Sequence, residues 1–249
     1  MADYRQTGYG APARTADASM DLGLRSYMLG VYNYMALGLV VTAAAAYGLY
    51  RVSFIEVGGG LALTSVGETI FASPLMWVLM LAPLAFVLVL SFGINKLSAG
   101  TAQILFWAFA GVMGASLASI FAVYAHGSIF RVFLITAGMF GATSLWGYTT
   151  KRDLTSMGSF LMMGLFGLII ASIVNLIWPS GALSFAISVI GVVIFAGLAA
   201  YDTQKIKESY YEGDEAGFAQ KKQIMGALSL YLDFINLFLM LLRLIGDRR

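Results

Sequence analysis

Cysteine is absent from all 249 positions, which removes disulfides, thiolate nucleophiles and Cys-ligated metals or clusters at once. Histidine occurs once, at His126, so two-histidine zinc motifs and His-ligated haem pairs are excluded as well. That histidine sits in the short polar stretch Tyr124-Ala-His-Gly-Ser128 and reads as a solvated loop residue. Charge is scarce, at 11% of residues, where soluble domains carry about a quarter. A soluble domain of this length needs a charged coat that this chain cannot supply. The net charge of +2 is too small to point to nucleic acid, and no nucleic-acid partner is expected.

What the chain has instead is apolar length. Hydrophobic residues make up 59% of it and the mean hydropathy is +0.82. They fall in long blocks rather than amphipathic stripes, so the lipid bilayer is the expected solvent and a greasy soluble bundle is disfavoured. Seven apolar segments run roughly over 27–49, 74–92, 102–124, 129–149, 160–178, 182–201 and 224–245. Each has about the 20 residues needed to cross a hydrocarbon core of about 30 Å. Trp77, Trp107, Trp146 and Trp178 lie near the expected interfaces, and Pro74 and Pro179 stand at segment boundaries. The expected fold class is an all-α membrane protein, a seven-transmembrane helix bundle with the last helix central, over residues 26–249. Residues 1–25 hold no apolar run and no signal-peptide pattern; they read as a disordered polar tail, with the first span acting as an uncleaved signal.

Lys and Arg set the orientation. With the N-terminus in the cytoplasm, the tail and the loops near 93–101, 150–159 and 202–223 share that side and hold ten basic residues. The opposite loops hold Arg51 and Arg131, and the C-terminus adds Arg243, Arg248 and Arg249. Seven full crossings put that basic C-terminus outside; a re-entrant last segment would return it, and the length of 224–245 favours a full crossing. Small residues at Gly111, Gly114, Ala118 and Ser119, at Gly138 and Gly141, and at Gly164 and Gly167 offer seams for close helix packing. The loop 51–73, with Gly58-Gly59-Gly60, can dip into the outer interface. No internal repeat is visible, so inverted-repeat transport logic gains no support.

Against this background each charge beside a span is informative, because a charge at mid-bilayer costs several kcal/mol and faces a cavity or a partner. Asp202 ends segment six, within Ala-Ala-Tyr-Asp-Thr-Gln, while Asp233 and Arg243 lie in segment seven. The polar members of segment seven are Ser229, Asp233, Asn236 and Arg243, at intervals of four, three and seven. At about 100° per residue these keep to one face, continued by Gly226 and Met240, on a helix otherwise made of Leu, Ile and Phe. That seam points inward and lines a cavity or packs on other spans. Asp233 falls about 14 Å below the nearer boundary. Segments six and seven are neighbours, so the two carboxylates can approach if segment six is tilted or runs on past 201. Two carboxylates in a low-dielectric site cannot both ionise cheaply, so the pair shares one proton, a proton gate or a weak calcium site. The bland alternatives are an interfacial Asp202 opening a solvated loop, a hydrogen-bonding Asp233 without a gating role, and an Arg243 that snorkels to headgroups.

Tyr201-Asp202-Thr-Gln-Lys-Ile206, with Ala227-Leu-Ser-Leu-Tyr-Leu-Asp-Phe-Ile-Asn-Leu-Phe-Leu-Met-Leu-Leu-Arg243, resembles the transmembrane Bax-inhibitor-motif family in one of its bacterial members. The resemblance covers the chain from about residue 25 onward, and its specific part is the last 50 residues. It implies a last helix wrapped by the other six, and a pH-sensitive calcium leak sensed by an aspartate pair, here Asp202 and Asp233. An arginine on the second span latches that pair in the family. Segment 74–92 has none, and Lys96 just beyond it is the nearest substitute, a point charge rather than a two-pronged fork. Some bacterial relatives are instead modulators of a membrane-bound protease.

Four functions follow. The first is a cation leak channel gated by Asp202 and Asp233, with calcium or protons as the moving ions. Calcium prefers six to eight oxygens, more than this pair with Asn236 supplies, so permeation fits better than tight binding and no resident cofactor is expected. The second is an intramembrane aspartyl protease. Its Gly-x-Gly-Asp is replaced here by Leu230-Tyr231-Leu232-Asp233 and Pro83 is followed by Leu84, so no enzyme is expected. The third is a non-conducting regulator of a membrane-bound protease or a stress response. The fourth is a coupled transporter, which no broken helix pair supports. Compact loops and the bacterial motif place the chain in a bacterial inner membrane.

Overall fold

The computed structural model describes the backbone of residues 12–58 and 60–249, and side chains from residue 22 onward with Gly59 left aside. Helix α1 (Pro12–Ser53) leads into a hairpin of β1 (Phe54–Val57) and β2 (Gly60–Leu63), then a short α2 (Ser65–Phe71). There follow α3 (Leu75–Gly93), α4 (Ala99–Ser116), the single turn α5 (Ile120–Val123), α6 (His126–Thr149), α7 (Thr155–Ile177), α8 (Gly181–Glu208) and α9 (Ala216–Ile245). Seven of these stretches are long and apolar enough to cross a membrane, with α4 and α5 forming one of them.

The chain is a seven-helix bundle built around α9. This helix packs against α1, α4, α6 and α8 and touches α3, whereas α7 rests chiefly on α8. The result is two three-helix groups, α1–α3–α4 and α6–α7–α8, on either side of a central last helix. In α9, 72% of the membrane window is buried, against 11% in α3 and in α7, so α9 is the helix that meets protein nearly all round.

Several expected boundaries move. Helix α1 begins at Pro12, so the part of the polar tail from 12 to 25 is helical, while residues 1–11 lie outside the described residues. Proline suits the first helical position, where its missing N–H has no partner to lose, and the Ala-rich stretch behind it favours helix. The loop at 51–73 is a built element: Thr64 caps α2 by accepting from the Gly67 N–H at 3.1 Å, and Gly58, at φ +59°, makes the hairpin turn. His126 is not a bare loop residue but the first residue of α6. Its ring stands edge-on to Tyr50 at 5.3 Å and lies 5.7 Å from Phe121.

The small-residue seams are only partly as expected. A Cβ on Gly114 would strike the Thr42 carbonyl of α1, and one on Gly164 would meet Ile194 at 3.1 Å, so both sit at helix contacts. Gly111, Gly138, Gly141 and Gly167 face open space. The close approach of α6 to α8 is made by Gly147, where a Cβ would collide with the backbone of Ala200. Glycine there lets two backbones touch, the favoured way to pack helices in lipid.

The C-terminus and the part of α1 near Tyr27 are placed by contacts. The last residues return to the hairpin end of the bundle: Ala125 N–H donates to the Asp247 carbonyl at 3.0 Å, and Arg249 N–H donates to Val123 at 3.0 Å. Arg249 also reaches Glu56 of β1 at 4.0 Å. At the opposite end, α8 and α9 are joined by residues 209–215. Lys222 closes this connection, donating to Asp214 Oδ2 at 2.6 Å and to the Ser209 carbonyl at 2.8 Å. The start of α1 belongs to the same end, with Tyr27 against Tyr210 at 5.5 Å between ring centres.

Candidate functional site

The sequence Tyr201-Asp202-Thr203-Gln204 lies inside α8, four residues or more from Glu208, rather than at its end. Four successive residues at about 100° per step point to four different neighbours. Tyr201 packs against Gly158 of α7. Asp202 faces Asp233 of α9. Thr203 reaches α6, its hydroxyl 2.8 Å from Ser144 Oγ while also donating to the Ala199 carbonyl at 2.7 Å. Gln204 accepts from the Leu154 N–H at 2.8 Å and donates to the Arg152 carbonyl at 2.8 Å, fixing the turn between α6 and α7. In that turn the Asp153 carboxylate accepts from the Thr155 hydroxyl and N–H, which holds it below the ordinary aspartate range.

The carboxyls of Asp202 and Asp233 lie within hydrogen-bonding reach of each other. Asp233 is buried, 6% exposed, and its Oδ2 has no donor among the described residues. Contact was conditional on where segment six ends, and its continuation to Glu208 brings the two carboxyls to one level. The expected charged loop 202–223 is for the most part helix, because charged side chains beyond the bilayer cost an α-helix nothing. Only residues 209–215 connect α8 to α9.

The rest of the α9 stripe follows α8. Gly226 admits Ile206, and Met240 fills the space left by Gly191. Ser229 is half-buried. Asn236 donates to the Leu232 carbonyl of its own helix at 2.9 Å, so its amide is partly engaged. Arg243 is exposed at the hairpin end, where it lines a cavity of about 530 Å³ with Arg248, Ser172, Asn175, Ser184 and Ser188. Lys96 is exposed in the turn after α3, and its ammonium makes no hydrogen bond or ion pair among the described residues. The cation that acts on Asp202 is Lys205, one turn further along α8. Among the described residues no group of three or more His, Asp or Glu could hold a metal, so calcium would find only the two carboxylates.

Sequence reasoning missed Lys205, Gln204 and the hydroxyl chain of Thr203, Ser144 and Tyr32, whose hydroxyl is 2.6 Å from Ser144 Oγ. The available signal was spacing: Thr203 and Gln204 become inward-facing as soon as α8 is carried past 201. It also missed Tyr231, fully buried, whose hydroxyl meets Thr42 Oγ1 at 2.6 Å.

A family model described as "Inhibitor of apoptosis-promoting Bax1" matches residues 24–249. The chain belongs to the Bax inhibitor family. The inner membrane protein YbhL of Escherichia coli is 47% identical over 230 residues, covering 91% of this chain and 94% of YbhL. A Caulobacter vibrioides protein is 49% identical over 246 residues, 96% of this chain and 95% of its own. A Rickettsia prowazekii protein is 48% identical over 249 residues and the full length of both chains. The Bax inhibitor match begins at residue 24, where the first apolar span begins, and takes in both aspartates.

Proposed function

We propose that this Bax inhibitor family protein is a pH-sensitive calcium leak channel gated by Asp202 and Asp233. The observation that carries the reading is the pair itself: a buried Asp233 carboxyl with an oxygen lacking a donor, set against Asp202 across the α8–α9 seam. Gain or loss of the shared proton changes the charge at the seam without any other chemistry. A protonated pair holds the two helices by a hydrogen bond. An ionised pair repels across the seam and attracts a divalent cation. The membrane is read as a bacterial inner membrane, as the name of YbhL says of that relative. The end bearing the 209–215 connection is read as cytoplasmic on the excess of Lys and Arg there.

The test is calcium flux into proteoliposomes from about pH 5 to about pH 8, a range from mildly acid to mildly alkaline bulk solution. Intact protein should give a flux that varies with pH. Asp202→Asn and Asp233→Asn keep the side-chain shape but cannot ionise, and each should make the flux insensitive to pH. A flux no greater than that of protein-free liposomes at every pH sinks the channel reading.

One observation favours the alternative, a non-conducting regulator of a membrane-bound protease or a stress response. The cavity at the hairpin end of the seam carries Arg243 and Arg248, whose positive charge repels an incoming cation. A regulator would retain its effect on the partner in Asp233→Asn, whereas a gate would not.

A further inference from the structure

Helices α1 and α6 flank α9 and touch through side chains, Tyr32 on Ser144 and Tyr50 on His126, and the gap left between them is a lateral cleft. Its half nearer the α8–α9 connection encloses about 750 Å³ and is bordered by α1 from Arg25 to Ala36 and by α6 from Ala137 to Tyr148. The floor is Phe234 of α9, which also borders the continuation of the cleft toward His126. From Arg25 to Ala36 is eleven residues, about 16 Å at helical rise, close to half of a hydrocarbon core of about 30 Å. The trough is therefore as long as one leaflet is deep. Gly141 and Ala137 keep it open, Gly141 with no atom near a would-be Cβ.

The lining changes character along its length as a phospholipid does. Arg25 stands at the mouth beside Tyr148, and Lys207 lies behind Tyr148, its ammonium 5.1 Å from that ring and 2.8 Å from the Tyr148 carbonyl. No acidic side chain lines this half of the cleft among the described residues. Deeper in, after the Tyr32–Ser144 hydroxyl pair, only Met35, Ala36, Ala137, Phe140, Gly141 and Phe234 remain. We infer that this half-cleft is a binding site for an anionic phospholipid, with its phosphate at Arg25, Lys207 adding positive charge from behind Tyr148, and one acyl chain laid along the trough onto Phe234. Water cannot occupy a lipid-facing apolar trough favourably, and a zwitterionic headgroup brings a cation of its own that offsets the attraction of its phosphate to this basic mouth. The inference stands on the α1–α6 geometry and does not depend on what the aspartate pair does.

Native mass spectrometry of the full chain in a neutral detergent tests it, with phosphatidylglycerol and phosphatidylcholine of identical acyl chains as probes. Phosphatidylglycerol should be retained about fivefold more strongly, the factor expected from one cation near a phosphate surface. Arg25→Gln should bring the two lipids to parity. Ala137→Leu and Gly141→Leu fill the trough and should weaken both lipids while the melting temperature is kept; Ala137 is exposed, so its variant folds if the glycine variant does not. Equal retention of the two lipids by the intact protein overturns the headgroup assignment. Unchanged retention in a folded Ala137→Leu variant overturns the site.

Discussion

Tyr231 shows what one hydroxyl does at the centre of this bundle. Thr42 already donates to the Ala110 carbonyl at 2.9 Å, so the Tyr231 hydroxyl is the donor in their 2.6 Å contact, and α1, α4 and α9 meet at one point. Tyr231→Phe keeps the ring, which packs at 5.1 Å on Phe109, and leaves the Thr42 acceptor unsatisfied. The expected loss is about 1 kcal/mol, read as a lower denaturation midpoint in detergent; no change would show that the bond contributes nothing. Asp233 was legible in the sequence because a lone carboxylate in a run of Leu, Ile and Phe has no cheap reason to be there. Tyr231 was not, because an aromatic residue in an apolar helix looks like any other and its partner is 189 residues away. Lys96 is near the second span in sequence, but the turn after α3 leaves it facing solvent.

At the scale of the helix, existence was legible and ends were not. Apolar length identifies the part of a helix that sits in lipid, but α8 runs on through Lys205 and Lys207 to Glu208, and α9 begins at Ala216, ahead of its apolar part. Those extensions decide whether Asp202 lies on a loop or in a seam. Which small residues face protein was equally hidden, since Gly141 and Gly147 look alike in sequence while only Gly147 touches another backbone. Gly147→Leu should therefore force α6 from α8 and cost several kcal/mol, whereas Gly141→Leu should leave the melting temperature near that of the parent. Thermal unfolding of the two variants side by side checks this, and equal losses would contradict the assigned packing.

At the scale of the molecule, the seven crossings place the two termini of the membrane domain at opposite ends. The sequence left the C-terminus open between a crossing and a re-entrant turn; the contacts of Asp247 and Arg249 with residues 123–128 and Glu56 place it with the hairpin. The absence of cysteine makes this easy to probe, because one introduced thiol is the only one present. Cysteines replacing Lys96 and Glu212 should react with a membrane-impermeant maleimide from one side, and those replacing Glu56 and Arg249 from the other. Labelling of all four from the same side would refute the topology. The Lys222 clasp on Ser209 and Asp214 has a mechanical consequence. Helices α8 and α9 are the arms of a pair of tongs riveted at that clasp, with Asp202 about 10 Å from the rivet and Ser184 about 38 Å from it at 1.5 Å per residue. On the proposed gating, rigid arms parted by about 1 Å at the carboxyls would open the far cavity by about 4 Å, so a small change of charge near the rivet would become a large stroke at the tips.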